Sequence, residues 1–215
     1  MTDARPVREK PIDFKGWEVK ATLEGRKDQT RRVLKPQPEI RDGNDSIWMG
    51  PPFGPNAYSG VYPDGLKVVS SVKYAPGDRL WVKENYAHGW PMNPGDVLPP
   101  DPRNGQVAIT YRADGNVPFG GSGKWRPSIH MPRWASRITL EVTELRVQRL
   151  QDISDEDARA EGVRRKEGGY LPGTRSDHIG TFAALWQSLH GPGSWAENPW
   201  VAAITFKLAN QEPTP

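Results

Sequence analysis

The chain carries short blocks of periodic apolar residues, and between these blocks the pattern disappears. The clearest helical pattern lies in residues 179–189, where apolar positions recur at spacings of three, four and seven residues. Such spacing places side chains on one face of an α-helix. The segment therefore predicts an amphipathic helix whose buried face is formed by Phe182, Leu185, Trp186 and Leu189.

Two shorter helices are predicted from the residues at their ends. Residues 16–23 mix apolar and charged positions, and Gly25 follows them as the left-handed residue that commonly ends a helix. Ser154 is a typical N-cap, and the three acidic residues after it suit the positive end of the helix dipole. This second helix is expected to end at Glu161, because Gly162 follows.

Alternation of apolar and polar residues predicts the strands, since successive side chains on a strand point to opposite faces. The longest such pattern covers residues 138–150, and a final strand is predicted at 199–208. Shorter strands are predicted at 11–14, 29–34, 68–74, 79–86 and 106–112.

Two long stretches interrupt this pattern. Residues 35–66 are rich in proline, glycine, asparagine and aspartate, and a proline-rich stretch covers about 88–105. Such composition without a clear period is typical of irregular loops. We interpret both stretches as insertions into a single domain of residues 11–208, with polar tails at 1–10 and 209–215.

The order of the predicted elements indicates the fold class. Five or six short strands and two or three short helices lack the strand–helix alternation of a doubly wound parallel sheet. We therefore expect a mainly β, α+β fold. The predicted arrangement is a small, partly open β-barrel with peripheral short helices and long irregular insertions.

Composition narrows the classes of function. The 215 residues contain no cysteine, which excludes disulfides, thiolate metal sites and cysteine nucleophiles. The four histidines are far apart, and we expect no metal site and no cofactor. Because no apolar run suits a membrane span or a signal segment, we expect a soluble, cytoplasmic protein without membrane contact. A net charge of +3 permits an anionic partner, and nine tryptophans offer surfaces for nucleobases.

The candidate chemistry begins with a basic turn, GRKDQTRR, at residues 25–32. Lys27 lies among three arginines, and neighbouring positive charges disfavour protonation of an amine. Its amine could act as base for the hydroxyl of Thr30, or the pair could hold a carbonyl or phosphate oxygen. A straight strand would point the two side chains to opposite faces, so cooperation requires the strand to begin after Asp28. A solvated basic turn is the alternative.

Arginines and tryptophans supply candidate contacts to an anionic or planar ligand. Guanidinium groups of the basic turn would bind such a ligand bidentately. A second block, residues 125–137, combines tryptophan with arginine, which suits base stacking and phosphate binding. The same side chains could instead cap the fold and solvate its rim. The candidate binding residues are Arg26, Arg31, Arg32, Trp81, Trp125, His130, Arg133, Trp134 and Arg137.

Two carboxylates are further candidates. Glu161 lies at the C-terminal end of a predicted helix, where the helix dipole disfavours a negative charge. This position would raise its pKa and suit it to proton transfer, whereas an inert exposed glutamate is the alternative. Glu84 is a charged group within the strand predicted at 79–86 and is a candidate for substrate binding.

Four motifs, in order along the chain, resemble those of ASCH-domain proteins of the PUA-like β-barrel superfamily. They are GRKDQTRR, PGDRLWVKENY, IHMPRWASRITLEVTELRVQRLQDISDEDARAEGV and NPWVAAITFKL. The resemblance is to the longer form carried by phages and prophages. It covers roughly residues 11–35, 67–87 and 125–208, and the insertions lie outside it.

The resemblance implies a groove for a modified nucleoside or single-stranded nucleic acid. Small bacterial ASCH proteins include amidohydrolases that remove the acetyl group of N4-acetylcytidine with a lysine, a threonine and a glutamate. Lys27 and Thr30 match the first two in a G-R-K-x-x-T turn, and Glu161 in DARAEGV matches the third. The chain departs from these enzymes in its greater length, its insertions and its tryptophan–arginine block.

The residues support three hypotheses. The first is an amidohydrolase of N4-acylated cytosine or cytidine, in which Lys27 deprotonates Thr30 or a water and Glu161 protonates the leaving amine. The second is a non-catalytic module that binds RNA or modified nucleic acid. The third, a ribonuclease, ranks last because the histidines form no close pair. The sequence gives no indication of the oligomeric state.

Overall fold

The structure is a computed structural model, and it describes a defined part of the chain. The described residues are 7–35, 37, 39–40, 46–48, 57–61, 67–71, 73–89, 100–101, 105–106, 108–116, 124–164 and 178–209. The chain divides into two compact units. The first unit consists of Met1–Gly25, Asp78–Glu141 and Leu208–Pro215, and the second of Arg26–Gly77 and Val142–Lys207.

The described residues form strands, three α-helices and several 3-10 turns. The strands are β1 (Glu9–Asp13), β2 (Gln29–Val33), β3 (Glu39–Ile40), β4 (Ser46–Trp48), β5 (Ala57–Val61), β6 (Lys67–Ser71), β7 (Arg79–Lys83), β8 (Tyr86–Gly89), β9 (Pro100–Asp101), β10 (Gly105–Gln106), β11 (Ala108–Tyr111), β12 (Thr139–Arg149) and β13 (Trp200–Leu208). The helices are α1 (Gly16–Leu23), α2 (Asp155–Ala160) and α3 (His178–His190). The 3-10 turns cover Arg112–Asp114, Ser128–His130, Arg133–Ala135 and Leu150–Asp152.

In the first unit the strand order is β1–β7–β12. β1 runs parallel to β7, with Ile12 opposite Val82. The start of β12 runs antiparallel to β7, with Leu140 opposite Leu80. All four side chains are buried, so apolar residues hold the three strands together. The helix α1 follows β1 and contacts the 3-10 turn at Arg112–Asp114.

In the second unit the strand order is β12–β13–β2. β13 runs antiparallel to β2, with Ile204 opposite Thr30 and Ala203 opposite Arg31. The helices α2 and α3 contact each other, and Phe182 and Trp186 of the predicted apolar face of α3 contribute to the core of this unit. Leu189, which was predicted on the same buried face, is instead 47% exposed. The buried residues of that core are Leu150, Ile153, Ala158, Phe182, Trp186 and Val201.

A sheet of four short strands, in the order β3–β4–β6–β5, lies within residues 39–71 of the second unit. The expectation of a wholly irregular insertion at 35–66 is therefore wrong, and the stretch at 88–105 likewise contains the paired strands β9 and β10. Strands of two to five residues contain too few alternations for a period to be visible in the sequence.

The other predicted elements are largely confirmed. The helices at 16–23 and 179–189 and the strands at 29–34, 138–150 and 199–208 appear within one or two residues of their expected bounds. The strand predicted at 79–86 instead ends at Lys83, and β8 starts at Tyr86. The chain turns away here because the Tyr86 backbone pairs with that of Arg126, through N–O distances of 3.2 and 2.7 Å.

The strands of each unit and the few short helices agree with a mainly β, α+β protein. No closed barrel is present among the described strands. No helix in the part of the chain that the structure describes is both long and apolar enough to cross a membrane.

Candidate functional site

Lys27 lies at a bend that precedes β2. Its backbone forms an antiparallel bridge with Glu161, and the strand begins two residues later at Gln29. Asp28 fixes the bend, since its N–H donates to the Ala160 carbonyl at 3.0 Å and its carbonyl accepts from the Phe206 N–H at 2.8 Å. The strand therefore begins after Asp28, as cooperation between Lys27 and Thr30 would require.

The helix α2 brings Glu161 to this bend. Ser154 caps its N-terminus, where the hydroxyl accepts the backbone N–H of Asp157 at 3.0 Å. Glu161 is the C-cap residue, and Gly162 follows with a φ of 84°, a left-handed conformation that favours glycine. The predicted start and end of this helix are confirmed.

The Lys27 ammonium is fully bonded within the protein. Its Nζ donates to the Gln29 carbonyl at 2.9 Å, the Glu161 carbonyl at 3.0 Å and the Glu161 Oε2 at 2.9 Å. Three acceptors match the three N–H donors of a lysine ammonium. The side chains of Lys27 and Glu161 are 0% and 5% exposed, so this ion pair is buried. The solvated basic turn is therefore excluded for Lys27.

Arg31 holds the other oxygen of the same carboxylate. Its Nη1 donates to the Glu161 Oε1 at 3.0 Å and to the Gln29 Oε1 at 2.6 Å, and its Nη2 donates to the Asp157 Oδ2 at 2.8 Å. The Nε of Arg31 is buried and has no hydrogen-bond partner among the described residues. A buried N–H donor without an acceptor costs free energy, and such donors are rare in folded proteins.

Asp157 extends the arrangement to a third cation. The Nη2 of Arg146 donates to both carboxylate oxygens at 2.8 and 3.0 Å, and Gln29 donates its amide to Oδ1 at 3.0 Å. Burial acts to raise the pKa of Asp157, but the hydrogen bonds from Arg146 and Gln29 and the charge of Arg31 outweigh it and lower this pKa. We refer to Lys27, Gln29, Arg31, Arg146, Asp157 and Glu161 as the Lys27–Glu161 network.

Thr30 lies on the other face of β2. Gln29 and Arg31 point toward Asp157, and side chains alternate along a strand, so Thr30 points to the opposite face. There it is buried and lies opposite Ile204 of β13. The structure thus brings together Lys27 and Glu161, which are 134 residues apart, and places the Thr30 side chain on the reverse of the strand.

The two remaining arginines of the basic turn lie at the edge of this region. Arg26 is half-buried, and its Nη1 donates to the Gly162 carbonyl at 3.0 Å. Arg32 is also half-buried. The charge of Arg32 acts on His190, the last residue of α3. Burial lowers the pKa of His190, and the charges of Arg32 and Lys35 lower it further. These contacts place Arg26 beside the end of α2 and Arg32 near the end of α3.

Glu84 forms a different ion pair, within the first unit. Its side chain is 1% exposed, and Arg137 contacts both oxygens, with Nε to Oε1 at 2.9 Å and Nη2 to Oε2 at 3.1 Å. Burial raises the pKa of Glu84, and the hydrogen bonds and charge of Arg137 only partly oppose this rise. Arg137 also pairs with Asp114 at 2.8 Å, and its guanidinium lies 3.9 Å from the centroid of the Tyr111 ring.

Tyr111 completes this second arrangement. Its hydroxyl donates to the Ala135 carbonyl at 2.9 Å. Burial raises the pKa of Tyr111 to about 12, although the charge of Arg137 opposes the rise. The phenol therefore stays protonated at neutral pH and acts as a hydrogen-bond donor and a stacking surface for Arg137.

The other residues of the tryptophan–arginine block take structural positions. Trp134 packs against a buried cluster that contains Tyr86, Met131 and Ala135. Arg133 is exposed, and its Nε donates to the Glu9 carboxylate at 3.0 Å. These contacts agree with the alternative in which the block caps the fold and solvates its rim.

The three remaining candidates are accessible to different degrees. His130 is exposed, and its carbonyl accepts the Tyr86 hydroxyl at 3.0 Å. Trp81 is half-buried with the Lys83 Nζ 6.0 Å from its ring centroid, and Trp125 is half-buried as well. All three residues belong to the first unit.

Three members of the Lys27–Glu161 network were not identified from the sequence. Asp157 lies one helical turn before Glu161, so the two share a face of the predicted helix. Gln29 shares a strand face with Arg31. These spacings were visible in the sequence, whereas the contribution of Arg146 from β12 depends on the tertiary fold.

The described residues contain no group of three or more histidine, aspartate and glutamate side chains arranged to hold a metal ion. Comparison with known proteins found no matching family model, no matching curated protein and no matching solved structure.

Proposed function

We propose that the chain is an ASCH-domain protein of the PUA-like superfamily that removes the acyl group from N4-acylated cytosine or cytidine. The observation that carries this proposal is the buried contact of 2.9 Å between the Lys27 Nζ and the Glu161 Oε2. Both residues were selected from the sequence, Lys27 for its neighbouring arginines and Glu161 for its place at a helix end, and both match the ASCH motifs. A buried amine beside a carboxylate is an arrangement suited to proton transfer.

In the proposed reaction a water attacks the acyl carbon, and the C–N bond to the exocyclic nitrogen breaks. The Lys27 ammonium first passes a proton to the Glu161 carboxylate across their contact of 2.9 Å. The resulting Lys27 amine then accepts a proton from the attacking water, and Glu161 passes its proton to the departing amine. The products are a carboxylic acid and the free cytosine amine. Water is preferred to Thr30 as nucleophile because Thr30 lies on the reverse face of β2.

Arg31 is the candidate for stabilising the negative oxygen of the tetrahedral intermediate. Its buried Nε has no acceptor among the described residues, while its Nη1 holds the Glu161 Oε1 at 3.0 Å. A donor that is fixed in place before the reaction stabilises developing charge without reorganisation. The reaction also requires the Lys27 Nζ to exchange one of its three protein acceptors for the attacking water.

The proposal is tested with purified protein and N4-acetylcytidine, with released cytidine measured by chromatography. We expect Lys27→Met and Glu161→Gln each to lower kcat/KM by about 10²- to 10⁴-fold, the usual contribution of a proton-transfer group. Lys124→Met, at an exposed position of the first unit, serves as the control and should retain full activity. Circular dichroism and the melting temperature establish that each variant is folded.

Absence of hydrolysis by the wild-type protein, or undiminished hydrolysis by folded Lys27→Met, would contradict the amidohydrolase. Should Lys27→Met be unfolded, Thr30→Val provides a separate test. The geometry predicts that this variant keeps its activity, because its side chain points away from Glu161. If Thr30 were the nucleophile, the Thr30→Val variant would instead lose its activity.

A second function is favoured by one feature of the same site. The Lys27 Nζ is already bonded to three protein acceptors, which suits a structural ion pair in a protein that binds RNA or modified nucleic acid without catalysis. Such binding weakens steeply with salt, because phosphate contacts release counterions. Salt-dependent binding of single-stranded RNA together with no hydrolysis would establish this alternative.

A further inference from the structure

A cavity of about 400 Å³ lies in the first unit, and none of the residues that line it belongs to the Lys27–Glu161 network. Its lining includes Trp17, Lys20, Asn85 and Arg112. We propose that this cavity binds a nucleoside 5′-monophosphate without selecting its base, through phosphate contacts to the two cations and Asn85 and stacking of the base on Trp17. This site does not depend on the amidohydrolase proposed above.

Backbone contacts fix the walls of the cavity. One wall is α1, where Trp17 and Lys20 share a face because they lie three residues apart. The other wall includes Asn85 and the 3-10 turn at Arg112–Asp114, which are joined by a hydrogen bond of 2.9 Å from the Arg112 N–H to the Asn85 carbonyl. The helix α1 contacts this turn. The cavity is therefore formed by ordered elements, and its volume falls in the range of small-molecule sites.

The two cations of the lining have no counter-charge in the part of the chain that the structure describes. Lys20 and Arg112 are both exposed, and no ion pair between described residues involves either side chain. By contrast, Arg133 and Arg137 of the same unit are each paired with a glutamate. Two uncompensated positive charges at one cavity attract an anion, and a phosphate forms strong charge-assisted hydrogen bonds with such groups.

The neutral polar group of the lining is also a donor. The Ser128 N–H donates to the Asn85 Oδ1 at 3.0 Å, which identifies the amide oxygen and leaves the Nδ2 group of Asn85 as a donor. Glu84 borders the cavity too, but its side chain is 1% exposed and both of its oxygens accept N–H groups from Arg137. The accessible side chains of the cavity thus offer donors, and they favour a ligand group that carries acceptors, as a phosphate does.

Trp17 favours an organic phosphate over a bare phosphate ion. It is half-buried, and its indole ring supplies a flat apolar surface in the lining of the same cavity. Stacking on such a surface tolerates each base, because every base has a π-face. The donor side chains supply no acceptor that could distinguish the N–H groups on a base edge. We therefore expect binding that depends on the phosphate and on the presence of a base, and not on which base is present.

The test uses the full chain and isothermal titration calorimetry with four probes: adenosine 5′-monophosphate, cytidine 5′-monophosphate, adenosine and ribose 5-phosphate. We expect the two nucleotides to bind within about tenfold of each other, since stacking is tolerant of the base. Adenosine lacks the phosphate and should bind at least about tenfold more weakly than its nucleotide. Ribose 5-phosphate lacks the base and should bind at least about fivefold more weakly.

Variants separate the groups of the cavity. Lys20→Gln and Arg112→Gln should each weaken binding of adenosine 5′-monophosphate by about tenfold and leave that of adenosine unchanged. Trp17→Leu should remove the advantage of the nucleotide over ribose 5-phosphate. Lys124→Gln is the matched control, because it removes the same charge from an exposed lysine of the first unit outside the lining. Glu161→Gln should leave nucleotide binding intact, so failure of the amidohydrolase proposal is distinguishable from failure here.

No binding of millimolar adenosine 5′-monophosphate, or equal affinity for adenosine and its nucleotide, would overturn this proposal. Undiminished nucleotide binding by Lys20→Gln and Arg112→Gln would overturn it as well, since the nucleotide would then lie elsewhere. Both positions are exposed, and circular dichroism establishes that the variants are folded. If Trp17→Leu does not fold, the wild-type protein decides the role of the base, because equal affinity for ribose 5-phosphate and the nucleotides would contradict stacking.

Discussion

In two regions of the protein a glutamate is buried against an arginine, and the two carboxylates differ in the number of cations that they bind. Glu161 receives the Lys27 Nζ on one oxygen and the Arg31 Nη1 on the other, at 2.9 and 3.0 Å. Glu84 receives a single arginine, Arg137, on both oxygens. One carboxylate is therefore shared between two cations, whereas the other depends on one partner and borders a cavity.

The difference shows how burial and hydrogen bonding compete. Asp157 belongs to the Lys27–Glu161 network, and there the donors outweigh burial and lower its pKa. At Glu84 the balance is reversed, because burial outweighs the bonds from Arg137 and raises the pKa. The pKa of a buried carboxylate is therefore raised where its donors do not fully offset its loss of solvation, and lowered where they do.

The largest expected effect follows from removing the shared carboxylate. Glu161→Ala leaves the buried Lys27 ammonium without a carboxylate and leaves Arg31 with Asp157 as its remaining carboxylate partner. We expect the free energy of unfolding at pH 7 to fall by about 3–5 kcal/mol, the usual cost of breaking a buried ion pair from one side. Urea denaturation followed by circular dichroism measures the change.

A matched variant distinguishes the missing charge from the missing volume. The combination Lys27→Met with Glu161→Leu removes both charges and keeps apolar volume, so it should recover much of the loss. A loss below about 1 kcal/mol for Glu161→Ala would mean that solvent reaches the pair, contrary to its burial.

The next largest effect concerns Glu84, the carboxylate that pairs with one cation. Arg137→Ala leaves Glu84 buried without its cation, and we expect a loss of about 3 kcal/mol at pH 7. The pKa of Glu84 is raised in the folded protein above its ordinary value of 4.5. The contribution of Glu84 to stability is therefore fully present below pH 4.5. It is lost as the pH rises through the pKa that Glu84 has in the folded protein. The difference between variant and wild type should shrink as the pH falls toward and below 4.5.

Urea denaturation over a series of pH values measures this dependence. Adding Glu84→Gln to Arg137→Ala should remove most of it, since glutamine keeps the shape without the charge. A loss that is the same at every pH would show that Arg137 stabilises the unit by packing on Tyr111 and not through Glu84.

The smallest effect concerns Asp157, whose pKa is shifted by folding in the opposite direction from that of Glu84. Asp157→Asn removes charge-assisted bonds from Arg31 and Arg146, and we expect a loss of about 1–2 kcal/mol at neutral pH. Because the pKa of Asp157 is lowered below 3.8 by folding, its contribution is present above that ordinary value and is lost as the pH falls through the folded pKa. The unfolding curves of variant and wild type should therefore converge in acid, and divergence there would contradict the lowered pKa.

Part of the candidate site could be predicted because local rules define it. The spacing of Asp157 and Glu161 on one helix face follows from the helical period, and the pairing of Gln29 with Arg31 follows from the strand period. From the sequence, the bend at Asp28 could be stated only as a condition for cooperation between Lys27 and Thr30. Its geometry depends on hydrogen bonds to Ala160 and Phe206, which are distant in sequence.

Thr30 illustrates the limit of motif reasoning. The turn G-R-K-x-x-T suggested that Thr30 and Lys27 act together, yet the strand begins at Gln29 and turns the Thr30 side chain toward Ile204. The short strands at 39–71 illustrate a second limit, because pairing between strands of a few residues is decided by partners and not by a local period.

The sequence by itself determined where the main helices and strands lie and where they end. Ser154 and Gly162 define α2, and alternation defines β12 and β13, because these are local preferences of the backbone. Only the tertiary structure decided that Lys27 meets Glu161 across 134 residues and that Glu84 meets Arg137 across 53. Buried charges require partners, and which partner comes within reach is set by how the strands and helices pack.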